Sequence, residues 1–138
     1  YLAALRRFAE LEGDRLVELV EAAPHVRGAI GAILERAVDQ STKDRENGCL
    51  LTSAAIERAH QDAAVRNVIT ATNTSIVRAV EKRLRAAQAS GEIAAFHDPP
   101  ALARFFAAQL VAIRVTSQTV HDRKILEGIA RVALGVLG

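Results

Sequence analysis

Arg114 stands one residue beyond Ile113, on the border of a helix face that reads as buried. A long cation in that place needs an anion, a set of carbonyl oxygens or a wet edge. Three roles fit it: an anchor for an acidic ligand, a bond to a carboxylate, or a bond to helix-end carbonyls, across a dimer if one forms. Other polar residues break apolar spacing in the same way. Thr72 and Asn73 interrupt one long amphipathic segment, Gln109, Thr116 and Ser117 interrupt the next, and Thr52 and Ser53 sit in a short apolar one. A few polar groups in an apolar hollow are what orients a small molecule, and a helical bundle is a usual place for such a hollow. The expected lining is Thr72, Asn73 and Gln109, with Phe105 or Phe106 as a flat wall and Ile30, Ile69 and Ile113 as aliphatic surface. The alternative is that the hydroxyls bond carbonyls of their own helices and the amides face water.

Cys49 is the one cysteine. Its place at a helix start favours a thiolate if the sulfur faces the terminus. The neighbours Leu50 and Leu51, and the lack of a second cysteine to resolve a sulfenic acid, point instead to a packed, inert thiol. His25, His60, His97 and His121 all fall near segment ends and form no His-x-x-x-His pair, so no metal site is expected. The sequence contains no recognisable Ser/His/acid set, glycine-rich phosphate loop or paired-carboxylate motif, so neither an enzyme nor a cofactor is expected.

The 138 residues, half of them hydrophobic, suffice for one domain with a real core, taken as residues 1–138. Eighteen basic and sixteen acidic residues leave a net charge of +2, too little for strong phosphate binding by charge alone. Tyr1 and four Phe give little surface for stacking on single-stranded nucleic acid. A single cysteine and no secretion-signal pattern imply a reducing, cytoplasmic setting. Charged or amide residues interrupt every apolar run before the roughly 20 residues a membrane span needs. The chain has no Met, so Tyr1 is expected not to be its natural beginning.

Helical spacing runs along the whole chain. Leu2, Leu5, Ala9, Leu16, Leu19 and Ala23 mark a first helix to about Ala22, with the apolar face broken by Glu12 and weakened at Gly13. Pro24 suits the first turn of a second helix through Val26, Ile30, Ile33, Ala37 and Val38, followed by a polar loop from Ser41 to Asn47. Asn47 is the expected cap of a third helix ending near His60, and Asp62 the cap of a long fourth that stops at Gly91. Asp98 with Pro99 and Pro100 opens the fifth, and Asp122 the sixth.

The order Gly48-Cys49-Leu50-Leu51, a long amphipathic helix, then Asp98-Pro99-Pro100-Ala101-Leu102-Ala103 resembles the C-terminal regulatory half of TetR/AcrR-type transcription factors, most strongly from Gly48 to Leu137. The resemblance implies an all-α, six-helix bundle that dimerises through its last two helices. It also implies a small, largely apolar effector, and a first helix (residues 1–22) linking to an N-terminal helix-turn-helix domain that meets operator DNA. Some relatives sense oxidants or electrophiles through cysteine, which makes a sensor at Cys49 one alternative; a ligand-free helical dimerisation module is another.

The sixth helix carries Ile125, Leu126, Ile129, Val132, Ala133, Val136 and Leu137 over most of its circumference, leaving Lys124, Glu127 and Arg131 as a polar stripe. Cover on two sides calls for a second copy. The expected interface comprises Ala103, Ala107, Leu110 and Arg114 with Ile125, Ile129, Val132 and Val136, and small residues including Gly128, Ala130 and Gly135 permit close approach. The hollow is expected between helices 2, 4 and 5, and a hinge at Gly13 and the Pro24 break.

Overall fold

A computed structural model describes residues 1–43 and 50–138. Six α-helices follow in order: α1 (Leu2–Ala22), α2 (Val26–Lys43), α3 (Leu50–Glu57), α4 (Ala63–Ser90), α5 (Pro99–Thr116) and α6 (Arg123–Leu134), closed by a 3-10 turn at Gly135–Leu137. There is no strand among the described residues.

Short polar side chains set the starts of α4, α5 and α6. The Asp62 carboxylate accepts from the Ala64 and Val65 amides at 3.0 and 3.2 Å, Asp98 accepts from Ala101, and Asp122 from Lys124. Gly91 ends α4 with φ +84°, and its amide together with that of Glu92 closes on the last carbonyls of the helix. A side chain at that φ is strained, which is why glycine stands there. The 28 residues of α4 extend about 42 Å, and α1, α3 and α5 pack along it, while α6 packs on α2 and α5.

Three boundaries differ from the sequence reading. Pro24 lies outside α2, which starts at Val26, and the Val26 amide donates to Glu92 from the far end of α4 at 3.1 Å. A tertiary contact replaces the local cap. Ser41, Thr42 and Lys43 are helical rather than loop, and α3 ends at Glu57 rather than near His60. The expected Asn47 cap, the Gly48 start and Cys49 lie outside the described residues.

The main core gathers Leu16, Ile30, Ile33, Leu34, Leu84, Phe106, Ile113 and Leu126, all essentially without solvent contact. A smaller cluster of Leu5, Ala54 and Val65, with Leu2, Leu51 and Ile69 beside it, joins α1, α3 and α4. Helix α1 runs unbroken through Gly13. A Cβ at Gly13 would stand 3.4 Å from Cγ2 of Thr72, so α1 and α4 approach closely there.

Glu12, which interrupts the apolar face of α1, is 4% exposed. Its carboxylate accepts from Nε and Nη2 of Arg36 at 2.9 and 2.8 Å and from Nε2 of Gln40 at 3.0 Å, both on α2. Nη2 of Arg114 on α5 stands 3.5 Å away. The bond to Glu12 raises the Arg36 guanidinium above the usual arginine range, against a smaller opposing effect of its own desolvation. Arg123 ties the start of α6 to α2 through Asp39 at 2.6 Å and Thr42 at 3.0 Å.

Two predictions follow from these bonds. The Val26 amide, then His25 and Arg83, hold the Glu92 carboxyl below the usual carboxylate range. A folded-state value below the unfolded one adds stability that is complete above the unfolded value and fades as pH falls through the folded one. Glu92→Gln is therefore expected to melt below the unaltered protein at about pH 7 and to converge with it in acid, below the ordinary carboxylate range; equal offsets at both ends of a pH series of melts would contradict this. Glu12→Ala leaves Arg36 and Arg114 without their shared anion and is expected to cost about 3–5 kcal/mol in urea unfolding, whereas a loss under about 1 kcal/mol would mean the pair is effectively solvated.

Candidate functional site

A hollow of about 110 Å³ lies between α3, α4 and α5. Each helix contributes one face. Leu51, Thr52, Ala55 and Ile56 come from α3 and Ile69, Thr72, Asn73 and Ile76 from α4, while Ala107, Leu110, Val111 and Arg114 come from α5. On α4 and α5 the lining residues recur at steps of three and four, the spacing of a single helical stripe. The surface is mainly aliphatic, with Thr52, Thr72, Asn73 and Arg114 as its polar members. The Thr72 hydroxyl donates to the Val68 carbonyl at 3.1 Å, so its hydrogen is used within its own helix.

A second cleft of about 490 Å³ adjoins the hollow and shares Thr52, Ile56 and Arg114 with it. Ser53, Glu57, Val115, Thr116, Gln118 and Thr119 complete the cleft. Arg114 stands where the two meet. Its Nη2 donates to Oε1 of Gln40 at 2.7 Å, and its Nε has no hydrogen-bond partner among the described residues.

Of the expected lining residues, Ile69, Thr72 and Asn73 border the hollow, and so does Thr52. The others are elsewhere. Ile30, Phe106 and Ile113 are sealed in the main core at 0% exposure, because the space between α2, α4 and α5 is filled by their packing. Phe105 packs edge-on against Phe106 at its rim, and Gln109 lies outside the lining. Ser117 is buried and donates to the Arg114 carbonyl at 2.6 Å. Ala107, Leu110 and Val111, which the sequence reading did not assign to the hollow, form with Arg114, which it gave as a possible ligand anchor, a stripe next to the core positions of Phe106 and Ile113. The signal was present in the spacing, with Arg114 at its end, but α5 is apolar enough for two stripes.

The expected interface residues also divide. Ala103, Ala107, Leu110 and Arg114 are buried within the protomer, Arg114 by its bonds to Gln40 and Glu12. The outward side of α5 carries Arg104, Ala108, Val111 and Val115 instead. Ile125, Val132 and Val136 are exposed, Val132 at 77%, and Ile129 is half-buried against the core. Added Cβ atoms at Gly128 and Gly135 would meet little or nothing. Among the described residues no group of His, Cys, Asp and Glu is placed to hold a metal ion, and no helix is long and apolar enough to cross a membrane.

Comparison with known proteins gives a consistent result. The family described as "Tetracyclin repressor-like, C-terminal domain" matches residues 15–133. The TetR family transcriptional regulator CifR, solved as a cysteine mutant with a 26-bp operator DNA, has a similar structure, with a TM-score of 0.83 and 27% identity over 99% of this chain and 72% of that one. A second CifR cysteine mutant with operator DNA gives a TM-score of 0.83 and 26% identity over 98% of this chain and 71% of that one. E. coli NemR in its reduced form shares the fold, with a TM-score of 0.82 at 16% identity over 99% of this chain and 72% of that one. A search of curated proteins finds no significant match. Bundle and family match agree: the chain belongs to the tetracyclin repressor-like C-terminal domains, the regulatory part of TetR-type transcription regulators and not an enzyme.

Proposed function

We propose that this chain is the effector-binding and dimerisation domain of a cytoplasmic TetR-type repressor. In this reading a small, largely apolar molecule binds between α3, α4 and α5, and α1 passes the event to an N-terminal helix-turn-helix domain, which lets go of operator DNA. The observation that carries the reading is the aliphatic hollow between α3, α4 and α5, with Thr52, Thr72, Asn73 and Arg114 as its few orienting groups. The DNA complexes of CifR support the DNA-binding part. A ligand moves the reader only if it prefers one packing of α1 over another, and a coupling of about 1–3 kcal/mol changes operator affinity about 5- to 150-fold.

Dimerisation is supported by the second apolar face of α6 and the turn after it, where Ile125, Val132 and Val136 are exposed, and by Val111 and Val115 on the outward side of α5. Cover by the same face of a second copy gives a symmetric four-helix seam, on the order of 2,000 Å² for an obligate pair. Val111 belongs to both the seam and the hollow. A second reading, a thiol sensor at Cys49, is favoured by one observation: the CifR structures are cysteine mutants.

Three measurements separate these readings. Ala107→Leu places extra methyl groups in a true hollow and is expected to be neutral or stabilising in urea unfolding; a closed core would instead lose about 1–3 kcal/mol to overpacking, which favours a ligand-free module. Val132→Asp touches only solvent within the protomer, so it is expected to leave folding intact and shift sedimentation from dimer to monomer. Unchanged dimers would rule out the α6 seam. Native-state titration with a thiol reagent is expected to label Cys49 slowly compared with unfolded protein, and fast native labelling would favour the sensor.

A further inference from the structure

We propose that the natural ligand of the hollow is a small monocarboxylate with an apolar body, that Arg114 holds its carboxylate, and that doing so releases Arg114 from Glu12 on α1. The proposal rests on the reading of the hollow as an effector site. It starts from a mismatch of buried charge. One carboxylate, Glu12, faces two guanidinium groups, and Arg36 occupies both of its oxygens at 2.8–2.9 Å. Arg114 receives only a 3.5 Å approach from Glu12 and a bond to the neutral Gln40, although its side chain is just 8% exposed. Its Nε is buried and has no partner among the described residues. A buried guanidinium with an idle donor and an incompletely matched charge is a ready site for an anionic acceptor, and its planar fork suits a carboxylate.

The rest of the hollow defines the body of that ligand. Ile69, Ile76 and Leu110 present aliphatic surface, so a compact apolar group fits there with its acid end toward α5. A longer tail has room in the cleft on the other side of Arg114. The consequence for α1 comes from adjacency: Glu12 meets Arg114, and Gly13 meets Thr72, another lining residue. The lining of the hollow therefore touches α1 at two consecutive residues. Drawing Arg114 toward a ligand leaves Glu12 to Arg36 and Gln40 on α2, which transfers α1 from a tie with both α2 and α5 to a tie with α2 alone.

The test uses the full-length protein with benzoate and toluene as probes of equal ring size, read by calorimetry and by hydrogen exchange of the α1 amides. Benzoate is expected to bind about tenfold or more tighter than toluene, with faster exchange around Glu12 on saturation. Arg114→Gln is expected to erase that preference while keeping toluene binding, since Glu12 retains both bonds to Arg36. Toluene binding as tightly as benzoate in the unaltered protein would overturn the carboxylate assignment and leave the effector reading standing. Benzoate binding with unchanged α1 exchange would overturn the release of Glu12. Failure of both probes to bind at millimolar concentration would overturn the proposal and the effector reading together. The comparison of probes in the unaltered protein decides the matter even if Arg114→Gln fails to fold.

Discussion

The Glu12 carboxylate is the buried constraint that joins α1 to α2 and α5. Removing the Glu12 carboxylate and the Arg114 guanidinium from water costs several kcal/mol per ion, and only good geometry and further hydrogen bonds, including those from the partly exposed Arg36, offset it. Here the oxygens are met by three donors at 2.8–3.0 Å from one face of α2, at residues 36 and 40, one helical turn apart. That geometry fixes the rotation and the axial register of α1 against α2, which aliphatic contacts alone specify poorly. Arg114 then ties α5 into the same point through Gln40. Two consecutive helices, α1 and α2, and the distant α5 thus share one polar centre beside an apolar core.

A buried ionic centre contributes specificity more readily than stability, and its position here has a second effect. The same Arg114 that completes the centre forms part of the lining of the hollow. A ligand in the hollow therefore competes for a group that the fold already uses. This arrangement differs from a pocket in a rigid wall, where the polar groups have no other task. In the proposed reading it would make α1 sensitive to the hollow through Arg114 and Glu12, without ligand contact to α1 itself.

Most of the helical frame was legible in the sequence, because caps are local. Asp62, Gly91, Asp98 and Asp122 each act within their own turn, so spacing and residue type suffice to place α4, α5 and α6. The start of α2 was not legible in the same way: its first amide is satisfied by Glu92, which is 66 residues away in sequence. The hollow was partly legible for a similar reason. Thr72 and Asn73 interrupt a stripe that has only one buried side, whereas α5 has apolar residues toward the core, the hollow and the outside, and the sequence does not say which neighbour meets which stripe. Phe106 and Ile113 were assigned to the hollow on type alone; they lie one stripe away, in the filled core. Glu12 read as a break in an apolar face, and is instead a buried residue of that face, because its partners Arg36 and Gln40 sit on another helix.

Gly13 gives the last step. At the crossing of α1 and α4 the absence of a side chain brings the helix backbone near the Thr72 methyl, and the Thr72 hydroxyl is held by Val68, which fixes that methyl in place. Even an added methyl there would be in ordinary van der Waals contact, so the crossing at Gly13 leaves α1 room beside α4. One residue earlier, Glu12 is held by three directional bonds from Arg36 and Gln40. The polar centre at residue 12, rather than the crossing at residue 13, therefore sets how α1 seats in the bundle, and the unbroken course of α1 through Gly13 carries that seating along the whole helix.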